Sequence, residues 1–184
     1  FQVGTRNMFN YELLKELGKQ SKPVLLKRAF SARVKEWLLA ADYVVQAGNK
    51  KVILCERGIR TFETSTRNTL DLSGALLAQR ESAFPVIVDP SHGTGEASLV
   101  IPMALAVVAA GLDGLLLEIH PEPFKALSDG YQSLNFSQFK QMMQQLKKIL
   151  YVIGKPIDSE FIYESFSNKK VATGNKEDIQ LHSS

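Results

Sequence analysis

Two apolar runs in this chain end in residues able to hold a metal ion. One is Pro85-Val-Ile-Val-Asp89-Pro-Ser-His92; the other is Leu115-Leu-Leu-Glu118-Ile-His120, with Asp129 a short way downstream. His92, Glu118 and Asp129 together offer one imidazole and two carboxylates, a donor set suited to a divalent ion such as Mn²⁺, Fe²⁺, Co²⁺ or Zn²⁺. Ca²⁺ would call for more oxygen donors. Taken singly, each has an ordinary explanation, the acids as loop carboxylates and His92 as a turn residue behind Pro90. Asp89 is placed to orient its neighbours without reaching an ion, or simply to cap the turn.

Cations follow other apolar runs in the same way. Phe1-Gln-Val-Gly4 leads to Arg6, Pro23-Val-Leu-Leu to Lys27, and Val52-Ile-Leu-Cys55 to Glu56 and Arg57, with Arg60 three residues on. The planar fork of a guanidinium matches phosphate or carboxylate oxygens, so Arg6, Lys27 and Arg57 point to an anionic substrate. Arg60 fits a solvated rim charge equally well and ranks as a supporting residue. A metal beside clustered cations suits an enzyme that holds a phosphorylated anion and polarises a carbonyl or a water. Gly93-Thr94-Gly95 resembles a phosphate-cradling turn, but two glycines around one residue are first a means of turning the chain.

Short apolar runs bounded by turn residues read as strands covered on both faces, the habit of parallel sheets. Helical spacing separates them at Tyr11 to Gln20, Ser31 to Asn49, Leu72 to Ser82, Pro102 to Ala110 and Phe136 to Leu150. Ser31 is the expected N-cap and Gly48 the expected C′ residue of the second helix; Pro102 is expected in a first helical turn. Strict alternation implies βαβ units, closed either as an open doubly wound sheet or as a (β/α)₈ barrel. The site chemistry favours the barrel, whose strands all deliver their C-terminal ends to one mouth.

A complete barrel takes about 250 residues, whereas this chain has 184 and repeats its pattern only to residue 150 or so. The expected fold class is therefore α/β, a partial TIM barrel of about five C-terminal βα units with the first three strands absent. Phe1 sits inside an apolar run, which reads as N-terminal truncation. Residues 151–184 turn polar around a short patch at Phe161, Ile162 and Phe166 and are expected to form an extension, in part disordered. Twenty-two Lys and Arg against 19 Asp and Glu, interspersed, do not suggest nucleic-acid binding. No apolar stretch approaches a membrane span and no signal core opens the chain, so a cytoplasmic location is expected. The single cysteine, Cys55, permits no internal disulfide and reads as a packed thiol.

The segments Gly4-Thr-Arg-Asn-Met8, Lys22-Pro-Val-Leu-Leu-Lys-Arg28, Cys55-Glu-Arg-Gly-Ile-Arg-Thr-Phe-Glu63, Arg67-Asn-Thr-Leu-Asp71, Asp89-Pro-Ser-His-Gly-Thr-Gly95, Glu118-Ile-His-Pro-Glu-Pro123 and Ala126-Leu-Ser-Asp-Gly130 occur in unbroken order. Over residues 1–150 they resemble 3-deoxy-D-arabino-heptulosonate 7-phosphate synthase, which opens the shikimate pathway. Within that superfamily the chain is similar to the branch related to 3-deoxy-D-manno-octulosonate 8-phosphate synthase, although that sister enzyme typically carries Asp-Ala-Thr-His where this chain has Asp89-Pro-Ser-His92. The resemblance implies that His92, Glu118 and Asp129 bind the metal and that Arg6, Lys27 and Arg57 hold phosphoenolpyruvate, with Lys27, His92 and Asp129 taking part in catalysis. It implies condensation with erythrose 4-phosphate in a homo-oligomeric intact protein. The family's fourth metal ligand, a cysteine in a Gly-Pro-Cys turn, and its Lys-Pro-Arg-Thr segment for erythrose 4-phosphate do not occur here, and Cys55 does not replace the former. The 184 residues alone are accordingly expected to be inactive. Two other readings remain open, the octulosonate synthase and a non-catalytic interaction piece. Thr5 stands for a usual alanine and Ala29-Phe30 for a usual Gly-Met, all beside anion-binding positions.

Overall fold

The computed structural model describes residues 1–155. Five strands, β1 (Gln2–Val3), β2 (Val24–Lys27), β3 (Val52–Glu56), β4 (Val86–Val88) and β5 (Gly114–Leu115), pair in parallel in the order β1-β2-β3-β4-β5. An order that never reverses puts every crossover on the same side, because parallel connections are right-handed. A doubly wound sheet would reverse direction, so this is the winding of a barrel wall. The crossovers run through α1 (Tyr11–Gly18), α2 (Val34–Gln46), α3 (Leu72–Glu81), the short α4 (Pro90–Thr94) with α5 (Ala97–Ala109), and α6 (Phe136–Val152) follows β5.

Register separates the two faces of the sheet. Leu26, Leu54 and Val86 stand side by side, as do Val24 and Val52, and all are sealed beneath the helices together with Val88. Trp37 of α2 is fully buried there and donates its Nε1–H to the Leu26 carbonyl at 3.2 Å. Leu25, Ile53 and Ile87 line the opposite, concave face and are only half-buried. A second core of Val100, Ala104, Val108, Leu134, Met142 and Leu146 joins α5 to α6. Among the described residues no helix is long and apolar enough to cross a membrane.

Several local expectations require correction. Helix α2 begins at Val34 rather than at Ser31, because the Glu36 carboxylate reaches back to accept the Arg33 N–H at 2.7 Å and closes the first turn there. Gly48 does follow the helix end, with φ of 120°. Pro102 lies inside α5, which starts at Ala97. The N–H that proline lacks would have served the carbonyl of Ser98, an exposed residue in the first turn, and burial of Val100, Ala104 and Val107 holds the helix through it. Helix α6 continues past residue 150 to Val152, and Gly154 turns the chain at φ of 71°. The apolar patch at Phe161, Ile162 and Phe166, and nearly all of the expected extension, lie outside the described residues.

Candidate active site at the strand ends

Lys27 is the last residue of β2 and points to the concave face, alternating with buried Leu26. Its ammonium group reaches Asp89 Oδ2 at 2.9 Å, and both side chains are buried. The same Oδ2 lies 2.7 Å from His92 Nδ1, while Asp89 Oδ1 accepts the His92 backbone N–H at 2.9 Å and so caps α4. Asp89 thus binds Lys27 and His92 to one carboxylate. Burial works to raise its pKa, but the hydrogen bonds from the His92 ring and backbone and from Lys27 outweigh it and leave the group below its ordinary value.

An imidazole whose Nδ1–H is taken by a carboxylate presents the lone pair of Nε2 outward, the tautomer a metal ligand needs. His92 Nε2 is 3.9 Å from Glu118 Oε1 and 3.9 Å from Asp129 Oδ2. Local backbone structure explains both placements. After Leu116 the chain leaves β4, and the Glu118 N–H turns to Ser91 Oγ at 3.1 Å while its carbonyl accepts from Leu134 N–H at 2.9 Å. Asp129 adopts the left-handed conformation, φ 55°, at the start of a 3₁₀ turn over Gly130–Gln132.

The three donors converge on one nitrogen but do not close around a common point, and among the described residues no group of three His, Cys, Asp or Glu side chains is spaced to hold an ion as it stands. Donors sharing an ion with bonds near 2.1 Å lie about 3 to 3.5 Å apart. Each acid, at 3.9 Å from His92 Nε2, stands within about 1 Å of that separation from the imidazole. Arg67 Nη1 engages the other oxygen of Asp129, Oδ1, at 3.2 Å. Donor chemistry and tautomer therefore fit a divalent ion, and the gap is small.

The cations gather on the β1 to β3 side. Arg57, directly after β3, is buried at 3% exposure, and its Nη1 has no hydrogen-bond partner among the described residues. Burial lowers its pKa, opposed by the nearby charge of Asp89. Its guanidinium carbon lies 4.8 Å from the centroid of the Phe30 ring; those of Arg60 and Arg6 lie at 5.3 and 5.8 Å. Arg6 and Arg60 are exposed. The Ala29 N–H is already donated to Met8 Sδ at 3.1 Å, so that backbone donor is spoken for. Gly95 supplies the left-handed turn, φ 73°, that ends α4, and Gly93 lets Leu70 approach within 2.5 Å of where a Cβ would stand, which is conformational and packing work. Cys55 is a buried free thiol whose pKa burial drives well above its ordinary value.

The model of the family described as "DAHP synthetase I family" matches residues 1–152. The chain belongs to that family. It is 51% identical over 157 residues to phospho-2-dehydro-3-deoxyheptonate aldolase of Thermotoga maritima, covering 85% of this chain and 46% of that protein. A 2-dehydro-3-deoxyphosphooctonate aldolase of Coxiella burnetii is 33% identical over 143 residues, covering 72% of this chain and 50% of the relative. A solved structure, the truncated form of 3-deoxy-D-arabino-heptulosonate 7-phosphate synthase from Thermotoga maritima, superposes with a TM-score of 0.83 at 51% identity over 85% of this chain and 60% of that one. The five strands are part of a TIM barrel, and the chain spans about half the length of the curated relatives it matches.

The DAHP synthetase fold also places polar residues that strand-end reasoning passed over. Arg28 follows Lys27 but turns to the helix face, where Nη1 meets Glu56 Oε2 at 2.8 Å and Asp71 Oδ2 at 2.9 Å. Glu56 is fully buried, and its Oε1 accepts the Gly58 N–H at 2.6 Å, steadying the turn that carries Arg57. Burial raises the Glu56 pKa, and the charge and hydrogen bond of Arg28 oppose it. The alternation of Lys27 and Arg28 hints that one of them faces the helices. Arg67 joins Asp129 to Gln132, whose Oε1 it reaches at 2.7 Å, and Asn68 donates to the His92 carbonyl at 3.0 Å; neither carries a sequence signal beyond its place in a family motif.

Proposed function

We propose that the complete protein condenses phosphoenolpyruvate with erythrose 4-phosphate to give 3-deoxy-D-arabino-heptulosonate 7-phosphate and phosphate. The carrying observation is the buried Arg57 Nη1 left without a partner close to the Lys27–Asp89–His92 chain. A buried donor left unpaired costs about 1 to 3 kcal/mol, and a phosphate or carboxylate oxygen is the partner such a cation calls for. Identity of 51% to a heptulosonate-forming relative, against 33% to an octulosonate-forming one, favours the four-carbon sugar phosphate as co-substrate.

In this reading Arg6, Lys27 and Arg57 hold phosphoenolpyruvate by phosphate and carboxylate and fix the face its carbon 3 presents. That carbon attacks the aldehyde carbon of erythrose 4-phosphate, water adds at carbon 2, and the carbon–oxygen bond to phosphate breaks. His92, Glu118 and Asp129 would hold a divalent ion, which when bound supplies Lewis-acid polarisation of an oxygen. Asp89 keeps the His92 ring in the required tautomer and keeps the Lys27 ammonium, a proton reservoir beside the enol, desolvated but paired.

The test is phosphate release by the protein as its gene encodes it, with phosphoenolpyruvate and Mn²⁺, against erythrose 4-phosphate and against arabinose 5-phosphate. Turnover with the four-carbon sugar supports the proposal. Turnover only with the pentose phosphate, or with neither, overturns it.

A further inference from the structure

Phe30 sits on the loop after β2, where it meets the loops after β1 and β3, and those two neighbours bring three arginines to its ring. Arg6 comes from the loop after β1, and Arg57 and Arg60 from the segment after β3, with guanidinium carbons 5.8, 4.8 and 5.3 Å from the ring centroid. Hydrogen bonds donated by backbone N–H groups tie the same loops to the Phe30 segment. The Ala29 N–H goes to Met8 Sδ, two residues beyond Arg6; the Arg60 N–H goes to the Phe30 carbonyl at 2.8 Å; and the Arg28 N–H goes to the Cys55 carbonyl at 3.0 Å.

Three like charges around one ring repel each other, and Arg57 in addition is stripped of water. An aromatic ring is one of the few uncharged groups that attract a guanidinium, through its negative face, and the attraction grows as the cation is desolvated. It does so without occupying the N–H donors, so the hydrogen bonds stay available for an anion. An aspartate or glutamate in the same place would neutralise the cations and compete with the substrate.

We infer that Phe30 is a positioning residue for the anion site: its ring gathers Arg6, Arg57 and Arg60 and holds the Arg57 fork oriented while empty, so that a phosphorylated carboxylic acid meets preassembled cations. This deepens the proposed function and rests on it for the identity of the anion. Preorganisation of this kind appears in affinity, since the cost of ordering the side chains is met before binding.

The experiment compares the complete protein with its Phe30→Leu, Phe30→Met and Phe30→Tyr variants. Phosphoenolpyruvate binding is measured by calorimetry, and the Arg57 Nε–Hε resonance by NMR. The expected result is affinity about five- to thirtyfold weaker in the Leu and Met variants and within about twofold of the parent in Tyr, which keeps the ring. The Arg57 Hε resonance, shifted by the ring current in the parent and in Tyr, returns toward its ordinary position in Leu and Met. Two ring-less variants of different shape guard against one failing to fold. Unchanged affinity in both, or an unmoved resonance, overturns the inference. Failure of the parent itself to bind phosphoenolpyruvate refutes the proposed function instead, and the resonance then still decides whether Phe30 holds Arg57.

Discussion

Replacing Arg28 by methionine isolates the buried network behind the site. Arg28 is 4% exposed and Glu56 is sealed, so the substitution removes a cation of similar length and strands a carboxylate that no water can reach. Glu56 keeps one donor, the Gly58 N–H, and loses the 2.8 Å bond to Nη1; Asp71 loses its 2.9 Å bond, and the Ala32 carbonyl loses the Arg28 Nε–H at 2.9 Å. Breaking a buried ion pair from one side costs about 3 to 5 kcal/mol. With a urea dependence of about 2 kcal/mol/M, the unfolding midpoint should fall by about 1.5 to 2.5 M. Adding Glu56→Gln removes the stranded charge and should recover a large part of the loss, because an uncharged pair of similar volume has no desolvation penalty to offset.

The loss should also depend on pH. Burial already holds the Glu56 pKa above its ordinary value of 4.5 against the opposing charge of Arg28, and without Arg28 it rises further. In the window above the unfolded value the folded protein then binds a proton that the unfolded chain has released, so stability falls as pH rises. Arg28→Met should therefore be least costly at about pH 5 and most costly at about pH 8, read from urea melts across that range. A cost below about 1 kcal/mol that does not vary with pH, or a double variant as unstable as the single one, would refute the reasoning.

Three further outcomes follow from the geometry. Asp89→Asn should weaken binding of Mn²⁺ or Zn²⁺ to the complete protein by about ten- to a hundredfold, by calorimetry, because the His92 ring loses the carboxylate that fixes its tautomer; unchanged affinity would remove His92 from the ligand set. Gly18→Ala should destabilise by about 1 to 3 kcal/mol in thermal or urea melts, since the new Cβ would stand 2.3 Å from Ala47 Cβ and 2.6 Å from the Val44 carbonyl oxygen, where α1 meets α2. Cys55, whose thiol burial keeps protonated, should resist iodoacetamide in the folded protein and react at once in urea, followed by mass spectrometry; rapid labelling of the folded form would contradict its placement.

What could be read from the chain alone was local. Runs such as Val52-Ile-Leu-Cys55 and Pro85-Val-Ile-Val alternate with amphipathic stretches, and because period and polarity belong to neighbouring residues, five parallel strands with polar tips are legible in the sequence. His92, Glu118 and Asp129 were legible as a possible ligand set by residue type, and Lys27 by the apolar run before it. Other features join residues far apart in the sequence. Leu116 to His120 leaves β4 to pair near Leu134, Arg67 reaches Asp129 across the mouth, and Phe30 collects three arginines from two neighbouring loops. The start of α2 and the place of Pro102 inside α5 were likewise settled by a side-chain bond and by burial rather than by propensity. Local pattern specifies which elements form and which residues tip them. The distances between those tips, and which charges are stranded without water, arise only when the strands pack together, because only then do groups remote in sequence share one low-dielectric volume.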